Sequence, residues 1–270
     1  MILGQDKLLH SIDLYSSENF PRTILLLGEK GCGKHLVSNY IADKLQLEIE
    51  DVTSTISFEK ILDITLSSTA KIYLIDLSLT TDRLQNVILK FIEEPLEHTY
   101  IILLCEDETQ LLSTIVNRCV MFKFSNYTKD VLRNFTDNEF ALNYCATPGQ
   151  ISEYINQDFE ALDKLSNLII DKIHVANYSN LLSIDTKLKY KDEKDKLDAD
   201  LLLMTLSNKL LERFTNESDI KYLKMYEIIS LHRNKLRDAR LNKKYVIDSL
   251  LTSLWEYTKD YETRRLKKSN

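Results

Sequence analysis

The stretch LLLGEKGCGKH, Leu25 to His35, decides how the rest of this chain is read. Apolar residues run into Gly28, and Gly33 and Lys34 complete the spacing G-x-x-x-x-G-K. Gly31 adds a further point of backbone freedom. With a strand before it and a helix after it, this pattern makes a phosphate-binding loop. The loop N–H groups point inward, and the helix N-terminus adds partial positive charge. Lys34 would then reach the terminal phosphates of a nucleotide. Glycines at this spacing also occur in turns with no nucleotide ancestry, and the strand–loop–helix context is what favours the phosphate loop. The next residue should be Ser or Thr, whose hydroxyl ligates Mg²⁺, and it is His35. Magnesium takes hard oxygen ligands, and imidazole is larger and softer. The plain reading of His35 is a magnesium position that has decayed.

The flanking pattern supplies the context. Thr23 to Leu27 (TILLL) reads as a buried strand, and a helix is expected from Lys34 to Leu45. Lys71 to Asp76 (KIYLID), Thr99 to Cys105 and Cys119 to Phe124 are further strands, with a weaker one near Ile49 to Val52. Between them, TTDRLQNVILKFIEEP is an amphipathic helix. Leu84, Val87, Ile88, Phe91 and Ile92 share one face, Thr81 can cap the start, and Pro95 follows the end. Strands alternating with helices predict an α/β core with a five-stranded parallel sheet covered on both faces. Asp76, closing its strand, is placed to orient hydrated magnesium. A glutamate is the usual next residue where water must be polarised; here it is Leu77, which can do neither.

From Ser125 to Asn177 the pattern is helical, broken by TPGQ at Thr147 to Gln150. From Tyr178 onward a charged stretch, KLKYKDEKDKLDAD, is expected to be a solvated linker or helix turn. In LLLMTLSNKLLERF the residues Leu203, Leu206, Leu210 and Leu211 recur at helical spacing, and YVIDSLLTSLWEY does the same. Such stripes are, in the first instance, the core faces of a helical bundle. The expected division is 1–124, 125–177 and 178–270.

Composition narrows the class. The chain has 270 residues, 44% hydrophobic and 28% charged, with only five Gly and three Pro, which favours helix over irregular loops. A net charge of -6 means that any nucleic-acid contact must come from a local patch. Cys32, Cys105, Cys119 and Cys145 lie far apart with no C-x-x-C pair, so neither zinc nor a disulfide framework is expected and a reducing cytoplasm fits. No stretch is long and apolar enough to span a membrane, and MILGQDKLLH lacks a signal pattern.

The run KFIEEPLEHTYIILLCEDETQLLSTIVNRCVMFKF resembles the central stretch of bacterial clamp-loader subunits, the AAA+ proteins of the DNA polymerase III holoenzyme. Their LEEPP and T-I-x-S-R-C motifs appear here as FIEEP, Phe91 to Pro95, and TIVNRC, Thr114 to Cys119. ILGQDKLL resembles the segment lying near the adenine, and ATPGQISEY the G-x-P-G element of the lid. The likeness spans roughly the first 155 residues, and the delta-prime type is the subunit most similar.

That resemblance implies an AAA+ core at 1–124, a small helical lid at 125–177, and a helical collar at 178–270 that joins subunits in a ring. The ring loads the sliding clamp on primed DNA, so the implied partners are motor and delta subunits, with clamp and primer-template reached through the complex. Arg118 matches the family's arginine finger, which acts in trans on a neighbour's ATP; on its own an arginine there would be read as a surface ion pair. Gly28, Gly31, Gly33, Lys34, His35 and Asp76 match the nucleotide-binding positions. The departures fall on the chain's own site: His35, Leu77, Glu106 in place of a small polar sensor, and Gln150 in place of a basic one. Asn117 replaces the serine of the motif. Binding of ATP with Mg²⁺ is expected to be weak or lost. The four-cysteine zinc module of many relatives is absent from Gln46 to Ala70. Two other readings stand beside this one: an active AAA+ ATPase, and a nucleotide-binding accessory protein such as a helicase-loader-like factor. The cationic RRLKK, Arg264 to Lys268, reads as a solvated terminus.

Overall fold

The computed structural model describes residues 2–66, 69–78, 80–93, 99–177, 180, 183–184, 187–189, 197–237 and 241–269. Five strands form one sheet: β1 Thr23–Leu27, β2 Ile49–Asp51, β3 Lys71–Asp76, β4 Thr99–Cys105 and β5 Val120–Lys123. Every pairing is parallel, and the spatial order is β2-β3-β4-β1-β5. This is the parallel five-stranded core expected from the sequence.

The strands are buried on both faces, which is why they read as apolar runs rather than as alternations. Leu25, Leu27, Tyr73, Ile75, Ile101 and Leu103 share one hydrophobic cluster with Ile88, Phe91 and Ile92 of α4 (Asp82–Glu93). Ile24, Leu26, Ile72, Leu74, Ile102 and Leu104 share the other. They pack there with Leu8 and Ile12 of α1 (Asp6–Asp13) and with Val37 and Ile41 of α2 (Lys34–Leu45). Tyr73 and Phe91 meet edge to face at 6.1 Å and fix α4 on β3. Thr81 accepts from the Leu84 amide at the start of α4, as the cap reading required. Pro95, the expected stop, lies outside the described residues. Helix α3 (Phe58–Leu66) joins β2 to β3, and α5 (Ser113–Val116) precedes β5.

The first residues are tied to the sheet by one side chain. Gln5, 1% exposed, donates from Nε2 to the Ser125 carbonyl (2.8 Å) and accepts from the Ser125 amide at Oε1 (2.9 Å). A single amide thus serves as a strand partner for the backbone just beyond β5.

Contacts group the chain into two units, Met1–Asp137 with Cys145–Glu153, and Asn138–Tyr144 with Tyr154–Asn270, where the sequence suggested three segments. The first unit holds the sheet, α6 (Lys129–Leu132) and most of α8 (Pro148–Tyr154). The second is helical, with α7 (Glu139–Tyr144), α9 (Phe159–Lys172), α10 (Ala199–Glu217), α11 (Ile220–Arg237) and α12 (Lys243–Ser269). Leu203, Leu206 and Leu210 are buried in α10 as expected, but Leu211 is 38% exposed. The first half of α10 is enclosed on nearly all sides, so it carries no narrow stripe there. The charged stretch before α10 is not simply a linker. Leu188–Lys189 pairs with Leu197–Asp198, and the Asp198 carboxylate caps α10 by accepting from the Leu201 amide. The rest of that stretch, 190–196, lies outside the described residues. Asp163 on α9 accepts from the Tyr144 hydroxyl and from Lys209, joining α7, α9 and α10.

Gln5→Ala removes both bonds to the Ser125 backbone. It should lower unfolding free energy by about 1–3 kcal/mol, read by denaturant titration, with Gln5→Asn recovering little because its shorter side chain cannot span both groups.

Candidate functional site

The loop after β1 occupies the place the sequence assigned to it, at the carboxyl ends of the parallel strands where open α/β sheets hold ligands. Gly31 (φ 80°) and Gly33 (φ 101°) both take the left-handed backbone that side chains rarely adopt. Gly28 is required by space. A Cβ there would stand 2.8 Å from Cys32 Sγ and from the Phe124 Cβ.

Each loop carbonyl from residue 28 to 32 has a donor. Lys34 Nζ, in a residue only 8% exposed, donates to Gly28 O (2.6 Å) and Glu29 O (3.2 Å). Thr147 Oγ1 donates to Lys30 O (2.8 Å), the Gly149 amide to Gly31 O (3.0 Å), and the Tyr127 hydroxyl to Cys32 O (2.7 Å). The TPGQ segment, read in the sequence as a break between helices and by resemblance as a lid element, packs against the loop itself. Gly31 and Gly149 face each other so closely that a Cβ on Gly31 would lie 2.8 Å from the Gly149 Cα. At Lys34 and His35 the helix opens, and first-turn amides have no intrahelical acceptor. The donor set there fits an anion. It includes no hydroxyl for Mg²⁺ at position 35, where His35 is exposed.

The other expected site residues are engaged locally. Asp76 pairs with Leu104, which pairs in turn with Leu26, so Asp76 stands two strands from β1, roughly 10 Å by sheet spacing. Its Oδ1 accepts from the Ser78 amide (2.9 Å), turning the chain after β3. Leu77 is 1% exposed and belongs to the core cluster beneath α4, and its amide donates to Leu104 O (2.8 Å). Gln150 is buried, and its Oε1 accepts from the Ala146 amide (2.8 Å), closing its own turn. Beside the loop lies a cleft of about 580 Å³ whose walls carry Glu29, Glu106, Asp107 and Glu108 against one lysine, Lys123. Four carboxylates there disfavour phosphate.

Arg118 lies elsewhere. It precedes β5 by two residues, and β5 runs parallel to β1 with Val120 opposite Ile24. It is therefore near the amino ends of the strands, while the loop follows their carboxyl ends, a separation of roughly 15 Å at 3.3 Å per residue. Its guanidinium, 40% exposed, donates to Thr114 O (NH1, 2.9 Å) and pairs with Glu93 Oε1 (NH2, 2.9 Å). Glu93 lies in the FIEEP motif, but no sequence signal pairs it with Arg118; only the fold brings the end of α4 to the end of α5.

Burial holds the thiols protonated, pushing Cys32 up to about 11 and Cys119 and Cys145 up to about 12. Among the described residues no group of three or more His, Cys, Asp or Glu is arranged to hold a metal, and no helix is long and apolar enough to cross a membrane.

With this geometry established, comparison with known proteins narrows the class. Residues 43–128 match the family described as DNA polymerase III, delta subunit. Over 235 residues the chain is 27% identical to DNA polymerase III subunit gamma of Buchnera aphidicola subsp. Schizaphis graminum, covering 69% of this chain. The chain spans 63% of the length of that curated relative. Among solved structures it is similar to a DNA polymerase III gamma subunit-related protein of Thermotoga maritima (17% identity, 93% of this chain and 99% of that one, TM-score 0.49). It is also similar to the RuvB Holliday junction branch migration motor of Thermotoga maritima (14% identity, 77% and 74% covered, TM-score 0.39). Both sequence matches are to DNA polymerase III subunits.

Leu77 fills the core, so a glutamate placed there meets hydrocarbon rather than water. Leu77→Ala should cost about 2–5 kcal/mol, and Leu77→Glu should cost more because a carboxylate is buried as well. Neither should create ATP turnover in a phosphate-release assay.

Proposed function

We propose that this chain is a delta-prime-like, stator-type subunit of a cytoplasmic clamp loader, working with motor and delta subunits to place a sliding clamp on primed DNA. In this reading its own ATP site is degenerate, and its catalytic contribution is Arg118, presented to the nucleotide of a neighbouring subunit. One asymmetry carries the reading. Lys34, Leu77 and Gln150 are buried within their own chain, whereas Arg118, although it also pairs with Glu93, is 40% exposed at the far end of the sheet. A guanidinium is planar and permanently charged, suited to charge developing on a phosphoryl group. At roughly 15 Å from its own loop, it would serve phosphate only in another polypeptide.

Nucleotide retention follows from the same groups. The first-turn amides of α2 and a reoriented Lys34 would hold a phosphate weakly, after Lys34 has given up two carbonyls. Magnesium would add little without a hydroxyl at position 35.

The isolated chain should show background ATPase in Mg²⁺ buffer. His35→Thr should strengthen the magnesium dependence of nucleotide binding, measured by calorimetry, while turnover stays at background. Robust turnover that disappears in Lys34→Ala would establish an active ATPase instead.

Assembled with the motor-type and delta-type subunits of the same cell, Arg118→Ala should leave complex formation intact by gel filtration. Clamp- and primer-stimulated hydrolysis at the adjacent site should fall by about 10³-fold. Arg118→Lys should recover only part, since an ammonium lacks the planar fork. Full hydrolysis in an intact Arg118→Ala complex would make Arg118 a surface residue and remove the proposal's catalytic half.

A further inference from the structure

Arg118 is held by its own chain in a defined way. One guanidinium nitrogen donates to Thr114 O in the first turn of α5, and the other pairs with Glu93 at the last turn of α4, each at 2.9 Å. A guanidinium carries five N–H donors, and these two contacts use two of them. The two helices are also joined at a second place. Gln85 on α4, 1% exposed, donates from Nε2 to Gln110 O and accepts at Oε1 from the Leu112 amide, both at 2.9 Å, just ahead of α5. Ile115 of α5 shares the core cluster of Ile88, Phe91 and Ile92 of α4. The frame beneath Arg118 is thus fixed by packing and by Gln85. Among the described residues, Glu93 is the only carboxylate that forms an ion pair with Arg118.

We propose that Glu93 is the positioning residue of Arg118. It sets the plane of the guanidinium so that the remaining donors face the adjoining subunit, and it does so before that subunit arrives. This rests on the reading of Arg118 as a residue acting in trans. The pair is 40% and 41% exposed. Pairs so exposed are weak, so Glu93 orients the arginine without imprisoning it. Preorganisation of this kind acts on the transition state through the side chain it holds and contributes nothing where that side chain is missing.

The test is a double-mutant cycle on the assembled complex with its motor-type subunit, reading clamp- and primer-stimulated ATPase as kcat and KM separately. Glu93→Ala should lower kcat by about 1.5- to fivefold with KM for ATP unchanged, the scale of a weak orienting contact. Glu93→Gln, whose amide oxygen still accepts from the guanidinium, should recover most of the loss. In an Arg118→Ala background, Glu93→Ala should cost nothing further, because a residue that works only through Arg118 has nothing left to orient. On the isolated chain, phenylglyoxal should modify Arg118 severalfold faster in Glu93→Ala than in wild type, followed by peptide mass analysis. A kcat that stays level or rises in Glu93→Ala, or a loss that persists in the Arg118→Ala background, overturns the inference while the trans-acting arginine stands. No loss from Arg118→Ala itself removes both, and the phenylglyoxal rates then report only a surface ion pair.

Discussion

The first unit depends on how five consecutive carbonyls find donors. The loop carbonyls from 28 to 32 lie between the β1 ladder and the α2 helix bonds, and carbonyls without partners are costly. Here Lys34, Thr147, the Gly149 amide and Tyr127 supply the missing donors. One lysine comes from the following helix, one hydroxyl from beyond β5, and two groups from a segment more than a hundred residues downstream. The loop is therefore where distant parts of the unit are joined. Its glycines are fixed by that role as firmly as any ligand could fix them. Gly31 and Gly149 must both lack Cβ for the two backbones to approach. Structural demand alone can retain the motif when chemistry no longer does.

The same economy appears at Leu77. Where a water-polarising acid would need access to solvent and nucleotide, the chain directs this residue into the cluster beneath α4. The strand's last acid, Asp76, holds the turn that follows. Each group that a hydrolytic site would present outward has an inward or local task. Two independent positions, 35 and 77, diverge in side-chain chemistry, while the backbone elements that carry them keep their places.

Much of this was legible in the sequence. Apolar runs bounded by Gly28 and Asp76 announced buried parallel strands, and the 3.6-residue recurrence of Leu84, Ile88 and Phe91 announced α4, because burial on two faces or on one leaves different periodicities. Strand order was not legible, since β4 inserts between β1 and β3 and no local signal encodes that neighbour choice. Tertiary pairings were also hidden. TPGQ looked like a helix break because its role depends on Gly31, a residue met 118 positions before Gly149. Leu211 fitted the stripe but faces outward, since the start of α10 is enclosed on nearly every side and its end is not. Arg118 and Glu93 each sit in a motif, TIVNRC and FIEEP, but their pairing was hidden because it is made only when α4 and α5 come together.

Positions 77 and 118 meet on a single helix. Helix α4 packs Ile88, Phe91 and Ile92 into the cluster that includes Leu77, and its last residue, Glu93, meets Arg118. An acid at position 77 would have to leave that cluster or be buried in it, and either choice loosens the seat of α4. A leucine removes the conflict and tightens the same seat. Leu77 serves the packing of α4, whose last residue meets Arg118. Position 77 and position 118, remote in sequence, are linked through one helix, so a substitution at 77 that disturbs the seat of α4 also reaches the residue that pairs with Arg118.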